Sequence, residues 1–241
     1  MKLPYNEKYH IIPKQRIIVI WCAKAACTTV NCMYFDHENL LQEALEKSNW
    51  IHVYRKKYQQ QQQQQQLKQQ SIHIIPRRKY IQFCVNPYRR AVSSYLHGMY
   101  SKYLPEKHKN ISFQDFLTRL HAGQIPSNPH HNLQTFYKNN YKFITTVKME
   151  YLNDDLEKIN RKFKLHFKPY NNQNMKKKSN KINYFIGNDK WEHFKDNIPN
   201  DYTLFYNATI KRLVEKIYGD DIQNLGYTWG MFVTYESNKQ S

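Results

Sequence analysis

Glycine is scarce in this chain: six in 241 residues, the first at Gly98. The stretch RIIVIWCAKAACTTVNCMYF (Arg16–Phe35) therefore runs from an apolar segment through a turn into a helical pattern without one. That absence removes the Walker pattern GxxxxGK[ST], and with it the ordinary P-loop kinase or nucleotidase reading. Acidic residues are also few, 19 against 37 Lys and Arg, giving a formal charge of +18. A chain so basic either uses the charge only to stay soluble or meets an anionic partner: nucleic acid, a membrane surface, an acidic polymer or a multiply charged small ligand. The four cysteines, Cys22, Cys27, Cys32 and Cys84, match no zinc spacing. They read as small buried residues rather than a disulfide framework. No apolar run approaches the roughly 20 residues of a membrane span, and MKLPYNEKYHIIPKQR holds no segment of signal-peptide length. No transmembrane segment is expected, and the compartment stays open, cytoplasmic by default.

The patterning that is present alternates strands and helices. IIVIW (Ile17–Trp21) and YIQFCV (Tyr80–Val85) are short continuous apolar runs, as in strands covered on both faces. YKFITTVKME reads as a third strand ending near Glu150. After the first strand, Val30, Met33, Tyr34, Leu41, Ala44 and Leu45 keep helical spacing. Asn86 as N-cap and Pro87 at the first helical position open a helix with Ala91, Val92, Tyr95, Leu96 and Met99 inward. Ser112 caps a second helix, with Phe113, Phe116, Leu117 and Leu120 at i, i+3, i+4 and i+7. LNDDLEKINRKF predicts a helix burying Leu152, Leu156, Ile159 and Phe163; DYTLFYNATIKRLVEKIYGDD predicts another, burying Ile210, Leu213, Val214 and Ile217. Gln59–Gln70 is a low-complexity glutamine tract, read as a flexible surface insertion, and Asn171–Lys181 as a basic polar loop. Strands followed by helices predict an α/β fold, a mainly parallel sheet flanked by helices in a single domain over residues 1–241.

In such a sheet ligands sit beyond the carboxyl ends of the strands. A helix N-terminus there offers unpaired N–H groups and a positive dipole end to an anion. Thr28 and Thr29 add hydroxyls, and Lys24 adds a full charge. From these residues alone, a phosphate cradle and a simple helix cap beside a surface lysine are equal readings.

CAKAACTTV resembles the 5′-phosphosulfate loop of sulfotransferases that use 3′-phosphoadenosine 5′-phosphosulfate (PAPS). FCVNPYRRAVSSY is similar to that family's second signature, which holds the donor's 3′-phosphate. SFQDFL, NPHHNLQTFY, TTVKMEYLNDDLEKI and IKRLVEKIYGDDIQNLGY are similar, more loosely, to the carbohydrate-sulfotransferase branch. The resemblance runs in order from about Ile17 to Tyr227. It implies a P-loop-like, sulfotransferase-type sheet, with PAPS as donor and a carbohydrate hydroxyl or amine as acceptor. It also implies that Lys24, Ala25, Ala26, Cys27, Thr28 and Thr29 hold the phosphosulfate. Arg90 and Ser93 match the second signature, and Arg89 lies one turn before Ser93. The sequence departs from the family at Val85, where an arginine is usual. Valine cannot make that bidentate charged contact, so Arg89, Arg90, Arg77 and Arg78 are the candidates to replace it.

Sulfuryl transfer is an in-line displacement that asks for a base of near-neutral pKa and a cation at the leaving oxygen. Lys24 suits the second role. For the first, His73 and His130 lead among eleven histidines, beside His52 and His131, with His37 and His97 more structural in position. Glu150 matches an acidic position of the family. No metal is needed in this scheme. Two other classes stay open: a degenerate sulfotransferase fold that binds anions or glycans without turnover, and a nucleic-acid-binding protein. The second would use the tyrosines interleaved with basic residues in RKKYQ, PRRKY and YKNNYKF.

Overall fold

A computed structural model describes residues 9–48, 50–68, 79–101, 104–135, 144–170 and 182–238. The expectations placed on His73, Arg77, Arg78, YKNNYKF and the loop Asn171–Lys181 lie outside them. The chain groups into two compact units, one of residues 1–84 and 137–174, the other of 85–136 and 175–241.

The first unit carries a four-stranded sheet in the order β1(Tyr9–Ile12), β2(Ile17–Trp21), β3(Lys79–Cys84), β4(Ile144–Lys148). β2, β3 and β4 are parallel, with Trp21 beside Phe83 and Cys84 beside Lys148, so their carboxyl ends lie along one edge. β1 adds an antiparallel edge, pairing Ile12 with Ile17 across a turn at residues 13–16. The sequence gives this hairpin no usual signal, because its left-handed position is Arg16 (φ 56°) where a glycine or asparagine is expected. All five residues of β2 are buried, as its unbroken apolar run predicts.

The helices of this unit are α1(Cys27–His37), α2(Leu41–Glu46), α3(Ile51–Lys68) and α6(Leu152–Phe163). Their apolar faces meet Ile17, Val19, Trp21, Ile81, Phe83 and Val147 in one core. The helical pattern expected from Val30 to Leu45 is broken into two helices at Asn39 (φ 58°), which leaves Leu45 exposed while Ala44 is buried. α3 continues through the glutamine tract to Lys68 where a flexible insertion was expected. Glutamine is a good helix former, and the first two turns of α3 are fixed by Ile51, Tyr54 and Tyr58 against the core. The tract itself starts anchored: the Gln59 side chain donates to Tyr9 O on the edge strand.

The second unit is helical: α4(Pro87–Tyr100), α5(Phe113–His121), α7(Trp191–Phe194), α8(Ala208–Leu225) and α9(Trp229–Asn238). Asn86 caps α4 by accepting from Tyr88 N at 3.0 Å, and Ser112 caps α5 by accepting from Asp115 N at 3.0 Å, both as expected. The five predicted inward residues of α4 are all buried. The core forms where Tyr95, Phe113, Phe116, Phe194 and Phe205 meet. α8 begins later than expected, at Ala208 behind an Asn207 cap, because Tyr202–Phe205 forms a separate 3-10 turn.

Candidate anion-binding site

β2 ends at Trp21, and α1 starts six residues later. With no glycine available, the turn uses Lys24 (φ 65°) and Ala26 (φ 53°) in the left-handed region. Each costs on the order of 1 kcal/mol for a residue with a Cβ. Ala25 N donates to Cys22 O at 3.1 Å, and the Cys27 thiol donates to the same carbonyl at 3.4 Å, so the turn is tied twice to the strand it leaves.

The first turn of α1 is held from below and open at its end. Asn31 donates its amide to Cys27 O and accepts on Oδ1 from His10 Nε2 at 2.9 Å, which places the His10 proton on Nε2. Burial pushes His10 down to about 3, so it stays a neutral prop. No side chain caps α1 and its first turn holds no acid. Among the described residues, the N–H groups of Cys27, Thr28 and Thr29 have no acceptor. That is the arrangement a helix N-terminus offers to an anion.

α3 supplies the remaining group. His52, half-buried, lies with Nε2 3.3 Å from Thr28 Oγ1. Its ring is met at 71° by that of Trp50, with centroids 4.6 Å apart. One turn further along, the Arg55 guanidinium lies 5.9 Å from the centroid of the Trp21 ring. At the same edge of the sheet, β4 ends at Lys148 and passes into the 3-10 turn that carries Glu150. Lys148 N donates to Asp155 Oδ2 at 2.9 Å, fixing the start of α6.

Of the residues expected from the resemblance, Lys24, Ala25 and Ala26 lie in the turn after β2, and Cys27, Thr28 and Thr29 in the first turn of α1. His52, weighed in sequence but not put first, is the histidine that meets Thr28. The only sequence signal for it was position, between the first helix and the second strand. Three of the four cysteines are buried as expected, Cys27 is half-buried at the mouth of the turn, and all four are free thiols.

The remaining expected residues belong to the second unit. Ser93 is half-buried on α4. Arg89 Nε donates to Glu236 Oε1 at 3.1 Å, with the Glu236 side chain fully buried. Its guanidinium also lies 5.3 Å from the Tyr235 ring centroid and 5.7 Å from that of Tyr202. Arg90 is buried, donates to Pro129 O at 3.4 Å and lies 6.0 Å from the Tyr218 ring centroid. His130 engages Asn128 through both its backbone N–H and its ring Nδ1, and stacks at a tilt on His97, centroids 4.4 Å apart. His131 is buried, with Nε2 2.9 Å from Pro126 O, and burial lowers its pKa.

The tyrosines that prompted a nucleic-acid reading turn inward where they are described: Tyr58 packs edge-on against Phe35, and Tyr80 is buried. Among the described residues no group of three His, Cys, Asp or Glu is arranged to hold a metal, and no helix is long and apolar enough to cross a membrane. No known protein family, curated protein or solved structure matches this chain.

Proposed function

We propose that the chain is a PAPS-dependent sulfotransferase of P-loop-like fold, acting on a carbohydrate hydroxyl or amine. The observation that carries this reading is the open first turn of α1, with Thr28 Oγ1 set 3.3 Å from His52 Nε2. A hydroxyl and an imidazole thus meet where a helix N-terminus faces out from the carboxyl edge of a parallel sheet. Bound there, PAPS supplies a sulfuryl group on a phosphosulfate whose bridging oxygen leaves as the acceptor oxygen attacks sulfur. The N–H groups of Cys27, Thr28 and Thr29 bind its anionic end, and the Thr28 and Thr29 hydroxyls add side-chain donors. Lys24 holds a cation in the turn for charge growing on the leaving oxygen. His52 takes the acceptor's proton at Nε2. The remaining catalysis is positioning.

Arg89 and Arg90 favour a second reading. Both guanidiniums are engaged inside the second unit, and Val85 stands where the family has its 3′-phosphate arginine. A module that binds anions without turnover would tolerate that.

Calorimetric titration with 3′-phosphoadenosine 5′-phosphate, beside Lys24→Ala, tests the donor site. Micromolar binding that the variant loses supports it, and no binding at millimolar ligand in folded protein overturns the enzyme reading. Transfer of labelled sulfate from PAPS then separates enzyme from binding module.

A further inference from the structure

The corner between α2 and α3 keeps apolar side chains in water that the anion cradle does not use. Leu45 is 46% exposed, Trp50 61% and Val53 41%. An exposed indole forgoes more apolar burial than almost any other side chain, and three such residues in one short stretch are not scattered surface. The corner is also stiff. The Ser48 hydroxyl donates to Trp50 O at 3.0 Å, and Val53 N donates to the same carbonyl at 2.9 Å. The Tyr54 hydroxyl ties α3 to α2 by donating to Glu43 Oε1 at 3.0 Å. Trp50 is thus held outward by ordered backbone, while Ala44 and Tyr54 are buried. The charge around it is one-sided. Both carboxylates of α2 have donors, since Lys47 pairs with Glu43 at 2.9 Å and the Gln42 amide donates to Glu46 Oε1 at 2.6 Å. α3 carries no acid from Ile51 to Lys68, and Lys56 and Lys57 are exposed one turn after Val53.

We propose that this corner seats the protein on the surface of an anionic lipid bilayer. Leu45, Trp50 and Val53 enter the headgroup boundary, and Lys56 and Lys57 meet the lipid phosphates and carboxylates around them. An indole suits that boundary, which takes up its apolar ring and still hydrates its N–H. Lysine stems lie along apolar surface while their ammonium groups stay among the headgroups. The chain's +18 charge draws it toward a surface of negative potential. The length of α3 does not lie in the membrane, because Ile51, Tyr54 and Tyr58 are spent on the core, so the corner alone is available. A single-stranded polynucleotide asks instead for successive aromatic platforms along a basic groove. Here Tyr54 and Tyr58 turn to Phe35 and leave Trp50 as the platform at this corner. A second copy of the chain would set like charge against like. The proposal does not depend on the sulfotransferase reading. Docking brings the bilayer beside the His52 imidazole, whose ring Trp50 meets.

The test uses the full chain and vesicles of phosphatidylcholine with about one-third phosphatidylserine. Of the four tryptophans, Trp21 and Trp191 are buried and Trp229 is half-buried, so Trp50 supplies the solvent-exposed emission. The expected result is a blue shift of that emission on adding vesicles and its quenching by brominated acyl chains, with neither seen on pure phosphatidylcholine. In flotation, Trp50→Ala should weaken binding about tenfold. Lys56→Gln with Lys57→Gln should weaken it about 25-fold, roughly fivefold per lysine, and added salt should weaken the parent in the same direction. These side chains are exposed, so the variants are expected to melt with the parent. A parallel titration with 3′-phosphoadenosine 5′-phosphate keeps the two readings apart: a parent that fails to bind it sinks the sulfotransferase reading and leaves the bilayer proposal standing. The bilayer proposal is overturned if the vesicles do not bind, if pure phosphatidylcholine binds equally, or if Trp50→Ala binds as well as the parent. It is also overturned if the blue shift appears without lipid as protein concentration rises, which assigns the corner to a second copy, or with a short oligothymidylate, which assigns it to nucleic acid.

Discussion

His10 and Tyr34 stack face to face, with ring centroids 3.7 Å apart and planes within 1° of parallel. The stack joins the edge strand β1 to α1, and the Asn31 bridge carries it to the carbonyl of Cys27. Charging this imidazole would bury a cation in the core, and put it near Arg55, whose charge already opposes it.

The sign of the resulting pH dependence follows from a depressed folded pKa. His10 is neutral when folded down to about pH 3, whereas in the unfolded chain it takes up a proton near pH 6.5. Its contribution to stability is whole above the unfolded value and is lost as the pH falls toward the folded one. The slope is roughly 1.4 kcal/mol per pH unit below about 6.5. Urea unfolding followed from neutral pH to pH 4.5 should show that fall, and His10→Phe should flatten it. An equal slope in both proteins would mean other groups govern acid sensitivity.

Thr28 and His52 should separate by assay. Thr28→Val keeps the shape of the first turn but removes a donor, and is expected to weaken binding of 3′-phosphoadenosine 5′-phosphate by about tenfold. His52→Gln should leave that affinity within about threefold while lowering transfer by on the order of a hundredfold. Retained activity in His52→Gln would remove His52 from proton transfer.

Breaking the Arg89–Glu236 pair should cost stability. The Glu236 carboxylate is fully buried, pairs with Arg89 and also accepts from Tyr202 N at 3.3 Å. Arg89→Met should destabilise by about 3–5 kcal/mol, the typical result of removing one partner of a buried ion pair. Arg89→Met with Glu236→Leu should recover much of that loss in chemical denaturation. A stable single variant that loses only nucleotide affinity would instead point to a direct role for Arg89 in the donor site.

Gly187 is a packing constraint rather than a hinge. A Cβ there would lie 2.5 Å from Ile210 Cδ1 and closer still to the carbonyl oxygen of Phe205. Its own carbonyl accepts from Gln114 N at 3.0 Å, so the backbone is held on both sides. Gly187→Ala should destabilise by about 2–3 kcal/mol, seen as a lower Tm. An unchanged Tm would mean that the segment can shift.

What the sequence showed depended on whether the signal was local. The caps at Asn86 and Ser112 are written within a few residues of the helices they start, and both stand where they were expected. The buried faces of α4 and α6 follow from spacing alone: Leu156, Ile159 and Phe163 all reach the core. β1 was hidden because its turn has Arg16 in the left-handed position and only four residues carry the pattern. The glutamine helix was hidden because composition speaks to surface exposure, whereas helix formation came from the packed turns before it. Arg89 could be named as a cation, but its partner Glu236 lies 147 positions away and no local rule joins them. The turn at Lys24 was legible as a candidate anion cradle or a plain helix cap, while the meeting of Thr28 with His52 depends on how α3 lies across α1.

A longer or shorter glutamine tract would change the chain only from Gln59 onward. Its place in α3 decides what such variation can reach. Trp50, His52 and Arg55 all precede the tract, and Gln59 pins the helix to the edge of the sheet where the tract begins. Each added or deleted glutamine therefore changes α3 beyond that pin and leaves the spacing of the residues ahead of it untouched. The tract lies on the far side of a fixed point from the candidate site.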